Sequence, residues 1–311
     1  MYKNRRIAVV IPAYNEERHV GDVLRSMPDY VDHVIAVDDC SADETAAVIR
    51  ACADARVVPL STASNSGVGG ATLTGYVRAL ELGCEMIVKM DGDGQMSPEH
   101  LPLLLDALVE QGYDYAKGNR FMAGASLALM PRHRLFGNVV LTFANKVASG
   151  YWHIFDPQNG YTAITADALR RLDFGSINRR YFFENDMLIG LNLSNARVRD
   201  VPIPARYGDE HSDLNALHAG FKFPLLFAPR LCRRIYRKYV LHDFSPIALF
   251  LFAGLLLMLW GALFGAYHWA QSVSTGHPAT TGTVMLAVLP FILGFQLILQ
   301  AIVLDIQETP K

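Results

Sequence analysis

From Phe244 to Leu304 the chain carries no Asp, Glu, Lys or Arg, although 19% of its 311 residues are charged. Within that run, Ile247 to Ala270 and Thr283 to Leu304 are each long enough to cross a hydrocarbon core of about 30 Å at roughly 1.5 Å per helical residue. Two membrane-spanning helices are the simplest reading, and a pair of core helices in a large soluble domain is the alternative. The connection QSVSTGHPATTG has neither Lys nor Arg, whereas RLCRRIYRKY, just before the first apolar tract, has five basic residues. The positive-inside rule then places the preceding domain and the C-terminus in the cytoplasm. The segment Leu214 to Tyr239, which ends in these basic residues, is amphipathic. It has the composition of a helix lying at the membrane surface, a solvated basic helix packed on the domain being the alternative. The expected organisation is a domain over 1–213, an interface helix over 214–243 and a hairpin over 244–311, with spans near 247–270 and 283–304.

Before Tyr239 the sequence mixes residue types as a globular domain does. Short β-branched runs alternate with helical patterns: IAVVIP, a helix from about Glu16 to Met27, HVIAVD, a helix from about Asp43 to Ala53, then VVPL. A helix from about Gly70 to Leu82, the strand MIVKM and a helix from about Pro98 to Glu110 follow. Apolar strands separated by helices predict a mostly parallel, doubly wound α/β sheet covered on both faces. Ligands of such sheets bind at the carboxyl ends of the strands. The polar segments PAYNEE, DDCSADET, SNSGVGG and DGDGQ fall there. Further on, the sequence predicts a strand near Tyr113 to Lys117 and helices across Arg132 to Ser149 and near Glu184 to Leu193. A last strand is predicted near Val198 to Ile203.

A net charge of -2 argues against a nucleic-acid partner, which needs a basic footprint to displace counterions. Cys40, Cys52, Cys84 and Cys232 show no CxxC pairing, so neither a zinc site nor a disulfide framework is indicated. The apolar run near the start is one strand long and ends at Pro12, unlike the core of a signal peptide.

The most specific chemical signal is Asp91-Gly92-Asp93-Gly94-Gln95, directly after MIVKM. Two carboxylates separated by a glycine that permits a sharp turn can meet one divalent cation, and Gln95 can add a neutral oxygen. Such a cation would neutralise the charge that grows on a diphosphate leaving group. A calcium loop of the EF-hand kind starts similarly, but its acidic twelfth position is Pro102 here. A plain Asp/Gly turn between strand and helix is the other reading.

VVIPAYNEE at Val9 to Glu17, VIAVDDCSADET at Val34 to Thr45 and DGDGQ together resemble the family 2 glycosyltransferases, whose catalytic domain has the GT-A fold. NSGVGGAT at Asn65 to Thr72, KGNRF at Lys117 to Phe121, DPQNGY at Asp156 to Tyr161 and FFENDM at Phe182 to Met187 extend the match. Within that family the arrangement is similar to the polyprenyl-phosphate glycosyltransferases. The resemblance implies that Pro12, Tyr14 and Glu16 line a nucleotide pocket and that Asp39 accepts hydrogen bonds from the base. Asp38 and Asp43 are companions, although a helix-capping role suits Asp43 better. It implies a metal site of Asp91, Asp93 and Gln95 for Mg²⁺ or Mn²⁺, with Asp91 also near the nucleotide. Arg120 and Arg134 are the implied grip on an acceptor phosphate, since a guanidinium fork suits phosphate oxygens. Surface salt bridges are the alternative for both, and Arg206, His211 and Lys222 are further candidates. For Gly67 and Gly69 a structural role is favoured over phosphate cradling.

The implied reaction is inverting, metal-dependent transfer from a UDP- or GDP-linked sugar to a polyprenyl phosphate at the cytoplasmic membrane face, by a chain that can self-associate. A second reading takes a sugar hydroxyl as acceptor, with Glu184 or Asp186 as general base. A lipid phosphate needs no base, because with a second pKa of about 6 it is already anionic. A third reading is a membrane scaffold without catalysis.

Overall fold

The computed structural model describes residues 1–122, 132–204 and 216–310, excluding the side chains of 132–136, 138, 216–224 and 242. Seven strands form one sheet in the order β3-β2-β1-β4-β6-β5-β7. They are β1 (Ile7–Ala13), β2 (His33–Asp38), β3 (Val57–Ser61), β4 (Met86–Lys89), β5 (Tyr115–Asn119), β6 (Thr162–Thr165) and β7 (Val198–Pro202). Strands β3, β2, β1 and β4 run parallel, β6 is antiparallel to both β4 and β5, and β7 is parallel to β5. The expected mostly parallel sheet is therefore present, with β6 as the strand that sequence patterning passed over.

All seven residues of β1 are buried, as a strand covered on both faces requires. Ile7, Val9 and Ile11 point into one core, which α1 (Val20–Arg25) and α4 (Leu101–Val109) cover with Val20, Leu24, Leu104 and Leu105. Ala8 and Val10 point into the other. There α3 (Val68–Glu81), α6 (Ala166–Arg170) and α7 (Phe183–Leu193) supply Tyr76, Leu169, Met187 and Leu188. Full burial of each large aliphatic side chain contributes about 1.5–3 kcal/mol, so the two cores lock the strand ends in place. Strand order reverses at β1: β2 and β3 lie on one side of β1, β4 on the other. This is the switch point where open α/β sheets bind ligands. Two further helices of the domain are α2 (Thr45–Arg50) and α5 (Arg132–Ser149). All four cysteines are unpaired.

Met1–Ala228 forms one compact unit and Pro229–Thr309 a second. Helix α8 (Ala216–Tyr236) runs into wider π-type turns over Arg237–His242 and is followed by α9 (Pro246–Thr275) and α10 (Thr281–Gln307). The last two have 30 and 27 residues with mean hydropathy 2.5 and 2.3 in their most apolar stretches, long and apolar enough to cross a membrane. Only 22% and 11% of those stretches are buried, unlike the mostly buried core helices of a soluble domain. Gly254 and Gly294 let the two helices touch: a Cβ on Gly254 would lie 2.8 Å from the Gly294 carbonyl oxygen. The basic tract does not all face outward. Arg234 is 1% exposed, and its two terminal nitrogens donate to the Asp305 carboxylate near the end of α10 at 2.7 and 3.0 Å. The Tyr239 hydroxyl donates to the same carboxylate. One of the five expected surface cations is thus a buried partner of the hairpin.

Candidate active site

The loop after β1 is stitched to the loop after β2. Asn15 adopts φ 57°, its N–H donates to the Ser41 hydroxyl, and its side-chain oxygen accepts from the Ala42 N–H. The Glu16 N–H donates to the Thr45 hydroxyl at 2.7 Å. Asp43 accepts from the Thr45 N–H and hydroxyl at the start of α2 and from the Glu17 N–H, so it works within the chain. These ties present Tyr14 and Glu16 at the mouth of the sheet.

Asp39, 2% exposed, organises the segment that enters α3. One of its oxygens accepts from the Thr62 hydroxyl at 2.8 Å and from the Ser66 N–H and hydroxyl at 2.9 and 2.8 Å. The other accepts from the Gly67 N–H at 2.7 Å. Gly67 sits at φ +83°, where a Cβ would also come within 2.6 Å of the Arg179 carbonyl oxygen, so only glycine fits without strain. Two N–H groups of this glycine-rich turn are already engaged, Gly67 with Asp39 and Gly70 with the Arg179 carbonyl. A Cβ on Gly69 would meet Phe183 and the Asn178 carbonyl. Close packing is what Gly67 and Gly69 provide here.

Strand β4 delivers the acidic turn. Ile87 and Lys89 alternate onto the face covered by α3 and α7, which leaves a lysine, 1% exposed, in an apolar layer. Its ammonium donates to Asp91 Oδ1 at 2.6 Å and lies 3.5 Å from Glu184 Oε1, in the first turn of α7. Burial works against that positive charge, but the Asp91 and Glu184 carboxylates outweigh it and hold Lys89 charged above the ordinary lysine range. Gly160, from the DPQNGY segment, closes the group: a Cβ there would stand 2.5 Å from the ammonium and 2.8 Å from Asp91 Oδ2. Asp93 Oδ1 accepts from the Gln95 N–H at 2.9 Å, which tightens the turn.

Together these segments enclose a cavity of about 400 Å³. Its walls include Pro12, Tyr14, Glu16, Asp39, Asp91 and Asp93, six of the residues singled out in the sequence, with Asn65, Gly67, Arg180 and Tyr181. Gln95, Arg120, Glu184 and Asp186 are not part of this wall. Lys89, Arg180 and Tyr181 carried no sequence signal of their own. Among the described residues no three His, Cys, Asp or Glu side chains converge tightly enough to hold a metal alone. Asp91 and Asp93 as a two-carboxylate set fit a cation that completes its shell with phosphate oxygens and water, as Mg²⁺ commonly does.

The other expected residues have partners of their own. Arg120 forms a two-point ion pair with Asp156, Nε at 2.7 Å and a terminal nitrogen at 2.9 Å, which joins the KGNRF and DPQNGY segments. Burial opposes the ionised form of Asp156, and Arg120 more than offsets this, so its carboxyl lies below the ordinary range. Asp186, 1% exposed, accepts from the Asn178 N–H at 2.9 Å. The side chain of Arg134 lies outside the described residues, as do Arg206, His211 and the side chain of Lys222.

The sequence matches the family described as Glycosyl transferase family 2 over residues 8–173. Similar proteins include a UDP-N-acetylglucosamine--dolichyl-phosphate N-acetylglucosaminyltransferase of Methanococcus voltae, 29% identical over 66% of this chain and 87% of its own. An undecaprenyl-phosphate mannosyltransferase of Micrococcus luteus is 33% identical over 64% of this chain and 82% of its own. Among solved structures, glucosyl-3-phosphoglycerate synthase from Mycobacterium tuberculosis, in complex with Mn²⁺, UDP and glucosyl-3-phosphoglycerate, superposes with a TM-score of 0.55 at 22% identity. That superposition covers 74% of this chain and 81% of the other, a likeness of fold. With its acidic turn at the switch point of a GT-A-like sheet, this chain belongs to glycosyl transferase family 2 and is a glycosyltransferase.

Proposed function

We propose that the chain transfers a sugar, with inversion, from a nucleotide-diphosphate sugar to a polyprenyl phosphate at the cytoplasmic face of a membrane. The observation that carries this reading is the placement of Asp91 and Asp93 on the wall of the switch-point cavity, in a chain that also has two membrane-length apolar helices. Several relatives are named for transfer to lipid phosphates. Family membership sets aside the scaffold without catalysis.

In this reading Pro12, Tyr14 and Glu16 border the nucleotide, while Asp39 shapes the pocket by fixing the loop 62–67. Asp91 and Asp93 hold a divalent cation such as Mg²⁺ or Mn²⁺, which when bound neutralises charge on the departing diphosphate. Lys89 fixes the orientation of Asp91 from below. An acceptor phosphate oxygen bonds to the anomeric carbon as the bond from that carbon to the diphosphate breaks, and the leaving group carries away the electron pair. No proton has to be removed from the acceptor.

The reading with a sugar hydroxyl as acceptor requires a free general base. Glu184 instead faces the Lys89 ammonium, and Asp186 receives a backbone N–H. Both contacts favour the phosphate acceptor. The test is sugar transfer by the purified full chain in lipid, with a panel of UDP- and GDP-sugars, undecaprenyl or dolichyl phosphate, and Mg²⁺ or Mn²⁺. Metal-dependent formation of a glycosyl lipid phosphate is expected. Donor binding without any transfer to lipid phosphate would reject the reading.

A further inference from the structure

We infer that Arg180 is a binding residue of the donor site, contacting the diphosphate of the nucleotide from the wall of the cavity that the acidic turn also lines. The inference rests on the proposed donor reading and adds a residue that no motif marks.

The wall of the 400 Å³ cavity carries four carboxylates, Glu16, Asp39, Asp91 and Asp93, and among the described lining residues Arg180 is its one cation. A nucleoside diphosphate entering such a cavity meets repulsion on most sides. A divalent ion held by Asp91 and Asp93 would relieve part of it, and a cation elsewhere on the lining relieves more. Arg180 is suited to that place because it is uncommitted. Its side chain is exposed and has no ion-pair partner among the described residues, whereas Arg120 is held by Asp156 and Arg234 by Asp305. Its planar fork matches phosphate oxygens at two points.

The backbone that carries Arg180 is fixed on every side. Asp186 accepts from the Asn178 N–H at 2.9 Å, and the Asn178 side-chain oxygen accepts from the Arg180 N–H at 2.8 Å. The Arg179 carbonyl accepts from the Gly70 N–H at 3.0 Å, and the Arg180 carbonyl accepts from the Phe183 N–H at 2.9 Å. The stem of Arg180 lies against Gly67, where a Cβ would come within 2.8 Å of Arg180 Cγ. The backbone and the start of the Arg180 side chain are thus in place before a phosphate arrives, so only the outer part of the side chain has to be ordered on binding.

The experiment is titration calorimetry of the full chain in lipid nanodiscs with Mn²⁺ present, using UDP, GDP and the corresponding monophosphates. Arg180→Ala should weaken the binding of whichever diphosphate the wild type prefers by ten-fold or more, with an unchanged melting temperature. Arg180→Lys should recover part of that loss, and the monophosphate should lose less affinity than the diphosphate. Wild-type affinity retained in Arg180→Ala, or equal losses for monophosphate and diphosphate, overturns the role of Arg180 while leaving the donor reading intact. A wild-type chain that binds neither UDP nor GDP overturns both.

Discussion

The Lys89 ammonium stands 2.6 Å from Asp91 Oδ1, a buried cation set directly beneath the acidic turn that defines the cavity. Lys89→Met would leave Asp91 and Glu184 facing each other with no positive charge between them. Removing one partner of a buried charge group costs about 3–5 kcal/mol, toward the lower end here because Asp91 is partly exposed. Thermal melts of the full chain should show a clear drop, together with weaker transfer. An unchanged melting temperature would mean that the two carboxylates do not depend on Lys89.

The Arg120–Asp156 pair has a pH signature. Asp156 has a lowered carboxyl pKa in the folded state relative to its ordinary 3.8. The stabilisation it contributes is therefore complete above 3.8 and disappears as pH falls through the lower folded value. Arg120→Ala should cost about 1.5–3 kcal/mol at neutral pH, a difference that shrinks in strong acid. Denaturant unfolding at several pH values measures this, and a pH-independent difference would contradict it.

Two aspartates should respond differently to the same change. Asp93→Asn removes a charge from the cavity wall and should lower transfer on the order of a hundred-fold or more. Asp186→Asn keeps an oxygen able to accept the Asn178 N–H and should retain most transfer to lipid phosphate. Steady-state rates for the two variants compare them, and abolition of transfer by Asp186→Asn would revive a general-base mechanism.

Gly160→Ala tests the close packing under the site. The added methyl would stand 2.5 Å from the Lys89 ammonium and 2.8 Å from Asp91 Oδ2, so one of them must move. A displacement near 1 Å at a reacting centre costs on the order of a hundred-fold in rate. The kcat/KM for sugar transfer should fall accordingly, and wild-type kinetics would show that the site can absorb the methyl.

Much of this architecture is legible in the sequence because it is local. IAVVIP, HVIAVD and MIVKM are mostly apolar, and each is followed within a few residues by polar residues that line the cavity. Strand β6 leaves no sequence signal because Thr162–Thr165 is four residues long and is held by its neighbours β4 and β5, with little apolar pattern of its own. Lys89 hid inside an apolar run, since its role depends on Glu184 and Gly160, which are distant in sequence. Arg180 and Tyr181 reach the cavity through the turn that Asp186 and Gly70 fix, a tertiary arrangement with no local signature. Arg120 was visible as a cation, but its partner Asp156 became evident only when the two loops met.

The Arg234–Asp305 contact ties the end of the basic helix to the hairpin within the second compact unit. A chain cut before Pro246 would lose Asp305 along with both apolar helices and leave the Arg234 guanidinium without its counter-charge. Tyr239, packed with Ile247, Ala248 and Ala301, would lose its neighbours in the same step. A water-soluble version cut before Pro246 therefore has to rewrite Arg234 and Tyr239 together with the cut, because the end of the basic helix and the hairpin pack as one unit.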